Sequence, residues 1–124
     1  MSRPLIIDDA ARAKAASVLA YAEAHPYHSG DPIPGDDPNL VAEFDTYRAV
    51  FTFTHSGGAI YRHLSLSVPG TKYANPAAAF AIASLFGFTG WDEHTIDLIP
   101  EGWLMDVNEA EHCVVLAQEC GMEQ

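Results

Sequence analysis

Apolar and polar positions change their period several times along this chain. Between Ala10 and His25, Ala11, Ala15, Val18, Leu19 and Ala22 recur at helical spacing, which predicts a helix with one apolar stripe. Asp8 and Asp9 stand before it, where carboxylates can accept unpaired backbone N–H groups and sit at the positive end of the helix dipole. Pro26 ends the pattern. Residues 26–38 then hold Pro26, Gly30, Pro32, Pro34, Gly35 and Pro38 among Asp31, Asp36 and Asp37, a composition that predicts a long irregular loop. A loop of that length in a small domain points to a functional segment.

The period then shortens to two. Tyr47, Ala49, Phe51 and Phe53 alternate with Arg48, Val50, Thr52 and Thr54, and Ser56, Gly57 and Gly58 supply turn chemistry. From Ile60 to Val68, Leu64, Leu66 and Val68 oppose Tyr61, His63, Ser65 and Ser67. The two segments predict a β-hairpin. Asn75 and Pro76 then form a helix start, with a capping side chain followed by proline at the first helical position. The helix runs from Ala77 to Phe86, with Gly87 placed to cap its end. It has almost no polar side, so it is expected against the sheet, with part of it buried in a homodimer. Trp103–Val107 and His112–Gln118 predict a second hairpin joined through Asn108–Glu111, and Thr95–Ile99 an additional short strand.

These elements give an α+β fold in the order α-β-β-α-β-β: one domain over residues 1–124, an antiparallel sheet of two hairpins, and helices packed on one face. Phe51, Phe53, Leu64, Leu66, Phe80, Ile82 and Phe86 are the expected core. Apolar residues make up 48% of the 124, enough for a packed interior and too many for disorder.

Charge adds a second pattern. The chain has 17 acidic and 6 basic side chains, a formal charge of −11. Residues 49–90 contain Arg62 and Lys72 and no acid, whereas residues 91–124 contain nine acids and no base. So large a negative charge argues against direct binding to nucleic acid or anionic membranes, and for attraction to basic surfaces. The start of the chain has no basic-then-apolar leader, and the longest apolar stretch, Ala77–Phe88, is too short to span a bilayer. Cys113 and Cys120 make no disulfide framework. A cytoplasmic protein of a bacterial or phage-infected host cell is the expectation.

Candidate chemistry is sparse. The acids of the last third, Asp92, Glu93, Asp97, Asp106, Glu109 and Glu111 among them, have two readings: a surface imitating nucleic-acid phosphates, or a solvated face. Solubilising faces usually mix the signs, which favours the first. Asp36 and Asp37 form a second candidate patch. His63, Ser65 and Ser67 share one side of a strand and, with Arg62, could receive a small ligand; they could equally be a polar solvent-facing side. Neighbours at i and i+2 on a strand are about 6.5 to 7 Å apart, too far for a serine–histidine nucleophile pair. His25, His28, His94 and His112 repeat no zinc-ligand spacing, and the cysteines form no C-x-x-C pair, so no metal is expected. No glycine-rich phosphate loop occurs and no cofactor is expected. The chain reads as a binding protein and not an enzyme.

His63–Ser67, Asn75-Pro76, Ile96–Pro100, Asp106–Asn108 and His112–Val115 together resemble a small α+β domain borne by phages and prophages, over roughly residues 60–118. That resemblance implies a mobile-element context, in which small acidic proteins include anti-CRISPR inhibitors that imitate DNA. The expected partner is therefore a basic surface of a host nucleic-acid-binding complex. The alternatives are a sponge for a nucleotide signal, using Arg62, His63, Ser65 and Ser67, and a hydrolase with a dispersed site.

Overall fold

The structure, a computed structural model, describes residues 7–28, 37–45, 47–67, 76–90, 102–108 and 113–122. Helix α1 spans Asp9–Ala24. Asp8 caps it, its Oδ1 accepting from the Ala11 backbone N–H at 2.9 Å. The alanine-rich stripe faces inward: Ala11, Ala15, Val18 and Ala22 are buried, and Leu19 packs against the same cluster. Small side chains let the helix approach the sheet closely.

Six strands follow as β1 (Tyr27–His28), β2 (Val41–Phe44), β3 (Tyr47–Ser56), β4 (Ala59–Ser67), β5 (Trp103–Asn108) and β6 (Cys113–Met122), with α2 (Pro76–Leu85) between β4 and β5. The sheet order is β1-β3-β4-β6-β5, with β2 also paired to β3. The expected hairpins are both present: β3 pairs antiparallel with β4 as far as Ser56 and Ala59, around Gly57 and Gly58, and β5 pairs antiparallel with β6. The sheet is mixed, however, because β1 runs parallel to β3.

This departs from the expected order of two hairpins in one antiparallel sheet. Tyr27–His28, within the segment expected as an irregular loop, is a strand, and Val41–Phe44 is a further strand beyond those the sequence pattern predicts. Both are short. Two residues are too few to show a period, and Val41, Ala42 and Phe44 around one Glu43 do not alternate cleanly. Tertiary pairing with the edge of β3 makes these strands, not local propensity. The loop's far end begins a 3-10 turn, Pro38–Leu40, capped by Asp37. Thr95–Ile99 and Asn75 lie outside the described residues.

One face of the sheet holds the core. Phe86, just beyond α2, stacks on Phe51 with ring centroids 4.8 Å apart and meets Phe44 edge-on. Phe80 meets Trp103 edge-on at 5.4 Å. Leu64, Leu66, Ile82 and Leu116 are fully buried, while Phe53 is only half-buried. Five positions of α2, from Ala78 to Ala83, are buried within a single chain.

Helix α2 ends in a Schellman motif: Phe88 N–H bonds to Ala83 O, Gly87 N–H bonds to Ser84 O, and Gly87 has φ +90°. Gln118 on β6 then clamps the following residue, accepting from Thr89 N–H and donating to Thr89 O, both at 3.0 Å. Trp103 Nε1 donates to the same carbonyl. The chain leaving α2 is thus tied to β5 and β6. Among the described residues, no helix is long and apolar enough to cross a membrane.

Candidate functional site

Strand alternation sets β4's chemistry. In the β3–β4 register Arg62 stands opposite Phe53, and Leu64 opposite Phe51, so Arg62 lies on the core side of the sheet. His63, Ser65 and Ser67, opposite Thr52, Val50 and Arg48, lie on the other side. The four residues proposed together as a ligand face are therefore divided by the sheet: Arg62 does not join the other three.

On the outer side, each hydroxyl already has a partner. Ser65 Oγ lies 3.1 Å from Cys113 Sγ, and Ser67 Oγ donates to Arg48 O at 3.5 Å. Thr52, across from His63, is almost wholly buried. His63 is half-buried, its Nδ1 enclosed without a hydrogen-bond partner, and burial holds its pKa below the usual histidine value of 6.5. The neutral ring is the form that fits.

A sign follows for acid stability. The unfolded chain protonates His63 near its ordinary value, while the folded chain resists. The stabilising preference is present above about pH 6.5 and is lost as pH falls through the lower folded pKa. Between about pH 7.5 and 5.5 the native protein should therefore lose more stability than His63→Leu. Equal losses in urea titrations would show that His63 is as easily protonated folded as unfolded.

On the core side, a pocket of about 440 Å³ opens beyond the helices. It is lined by Glu23, Pro26, Phe53, His55, Ile60, Arg62 and Cys120. Helix α1 contributes Glu23 near its end, β3 and β4 contribute Phe53, His55, Ile60 and Arg62, and a register shift in β6 contributes Cys120. The shift pairs Tyr61 with Glu119 but Ile60 with Gly121, leaving Cys120 as the extra residue. Arg62 is pinned at the inner wall. Its Nη1 donates to Phe86 O at 3.1 Å, and its guanidinium carbon lies 5.5 Å from the Phe53 ring centroid. Gly87 makes room, since a Cβ there would stand 2.7 Å from Arg62 Cζ. Desolvation pushes the Cys120 thiol pKa up, and the Arg62 charge partly opposes this.

The acids of the two candidate patches, residues 92–111 and Asp36 with Asp37, are only partly placed. Asp106 is exposed on β5. Asp37 is half-buried and structural, accepting from Asn39 N–H at 2.9 Å and from Tyr21 O–H at 3.1 Å, and it raises the Tyr21 pKa. Asp36, Asp92, Glu93, Asp97, Glu109 and Glu111 lie outside the described residues. The two that are described sit on different elements: Asp37 beside α1, and Asp106 on the last strand in the sheet order.

Around Asp106 the structure shows what sequence reading overlooked. Leu104 is 66% exposed, Val107 46% and Met105 38%. Three large apolar side chains of β5 reach solvent, whereas Trp103 on the same strand is buried. By register, Met105 and Val107 follow Trp103 on the core side of the sheet, opposite Leu116 and Val114, while Leu104 shares the outer side with Asp106.

Among the described residues, no three His, Cys, Asp or Glu side chains gather as a metal site would need. No protein-family model matches the chain, and no curated protein or solved structure is significantly similar to it.

Proposed function

We propose that this chain is a protein-interaction module that docks through the β5 side of its sheet onto a basic partner surface. The observation that carries the reading is that β5, at the end of the sheet order, exposes apolar side chains on both sides: Leu104 beside Asp106 on the outer side, Met105 and Val107 on the other. Apolar side chains at the centre of a contact supply affinity once desolvated, and a charged rim orients the encounter. The sequence on either side of this strand, from residue 91 onward, carries nine acids and no base.

In its more specific form, the partner is a nucleic-acid-binding complex of bacterial defence. The protein then acts like an anti-CRISPR inhibitor, occupying the groove that holds DNA or RNA. Such grooves are lined with Arg and Lys, and −11 on 124 residues is the complementary charge. The phage-borne domain that residues 60–118 resemble is consistent with this setting. Division of Arg62 from His63, Ser65 and Ser67 by the sheet weakens the alternative of a nucleotide sponge built on those four residues together.

The test is displacement of DNA from purified CRISPR effector complexes. Native protein should displace it, less strongly as salt rises. Asp106→Lys and the pair Leu104→Ser with Val107→Ser should displace little at unchanged melting temperature. Full inhibition by the β5 variants would remove β5 from the contact. Failure of the native protein against every effector would remove the anti-CRISPR form.

A further inference from the structure

Arg62 is a half-buried cation in a chain where acids outnumber bases nearly three to one, yet among the described residues it forms no ion pair. Its one side-chain hydrogen bond goes to a neutral carbonyl, Phe86 O. A guanidinium offers five N–H donors. Enclosing such a charge without a carboxylate is costly, and a counter-ion from outside would relieve that cost. The pocket beside it has apolar lining in Phe53, Ile60 and Pro26, alongside Glu23, His55 and Cys120. Its volume of about 440 Å³ falls within the range of small-molecule sites.

We propose that this pocket binds a small aromatic monocarboxylate, its carboxylate on Arg62 and its ring against Phe53 and Ile60. Three features narrow the class. Arg62 is fixed by its bond to Phe86 O and its approach to Phe53 and Gly87, so its fork is placed before any ligand arrives, which suits a planar bidentate partner. Glu23 is the one carboxylate on the pocket wall among the described residues and disfavours a second negative charge on the ligand, as does the net charge of −11. Ring stacking exploits the apolar part of the lining, Phe53, Ile60 and Pro26. The site lies on the core side of the hairpin and is independent of the β5 docking surface.

Amide chemical shifts during titration with benzoate, benzamide and inorganic phosphate test the assignment. Benzoate should saturate with a Kd near or below about 1 mM, with shifts concentrated at Phe53, Ile60, Gly87 and Cys120. Benzamide, which keeps the ring and lacks the charge, and phosphate, which lacks the ring, should each bind at least about tenfold more weakly. Arg62→Gln should weaken benzoate by about tenfold or more. Because Arg62 also holds the end of α2, a second variant is needed: Ile60→Trp fills the pocket, keeps the Arg62–Phe86 bond and should abolish binding. Absence of saturation in the native protein, equal affinity for benzamide, or undiminished binding in Ile60→Trp would each overturn the proposal.

Discussion

Replacing Phe86 with alanine is expected to remove about 3 to 5 kcal/mol of stability. Phe86 is fully buried, stacked on Phe51 and edge-on to Phe44, so it bridges α2 to β3 and β2 at once. Its neighbours belong to a sheet whose pairing fixes their positions, so they cannot close the cavity that truncation leaves. The loss is a large fraction of the roughly 5 to 15 kcal/mol that separates folded from unfolded domains. Phe53→Ala supplies the contrast. Phe53 faces the pocket and is half-buried, so the same change should cost about half as much or less. Urea midpoints of the two variants measure the difference. Equal costs would show that the pocket wall is as closed as the core.

That contrast also shows where sequence reading succeeds. Phe51, Leu64, Leu66, Phe80, Ile82 and Phe86 were assigned to the core because each sits on the apolar side of a clear period, and all six are buried. Gly87 was assigned as a cap because it follows an apolar helix, and it adopts the positive φ that a cap of this kind requires. Both inferences rest on interactions among near neighbours in the chain. The parallel strand β1 needed knowledge of what lies across from Tyr27 and His28, namely Thr54 and His55, some 27 residues away. No local pattern encodes that.

The candidate sites depend on which face each residue takes. Grouping Arg62 with His63 followed their adjacency in the chain, yet strand alternation sends neighbours to opposite faces. The period already identified for Leu64 and Leu66 places Arg62 on their side. What no period could supply is the other half of the pocket. Glu23 and Pro26 come from the end of α1 and just beyond it, and Cys120 from the far end of β6 beside its register shift. The acids were legible as charge but not as a surface. Asp37 illustrates why: a carboxylate in a proline-rich segment can be consumed by capping a turn and binding Tyr21 instead of facing a partner.

Gly87→Ala is expected to cost about 2 to 3 kcal/mol, in two separable parts. The first is backbone strain: at φ +90° an L-residue lies in the left-handed region, at about 1 to 2 kcal/mol. The second comes from Arg62. The added Cβ would stand 2.7 Å from Cζ and 2.8 Å from Nη1, well inside contact distance. The guanidinium is the end of a flexible side chain and can withdraw, but withdrawal gives up the bond to Phe86 O and the approach to Phe53, together about 1 kcal/mol. A double-mutant cycle with Arg62→Ala separates the parts. With Arg62 absent, Gly87→Ala should show only the strain, so its cost should fall by about 1 kcal/mol. An unchanged cost in the Arg62→Ala background would mean that the guanidinium does not rest on Gly87. The orientation assigned to Arg62 at the pocket wall would then fail with it.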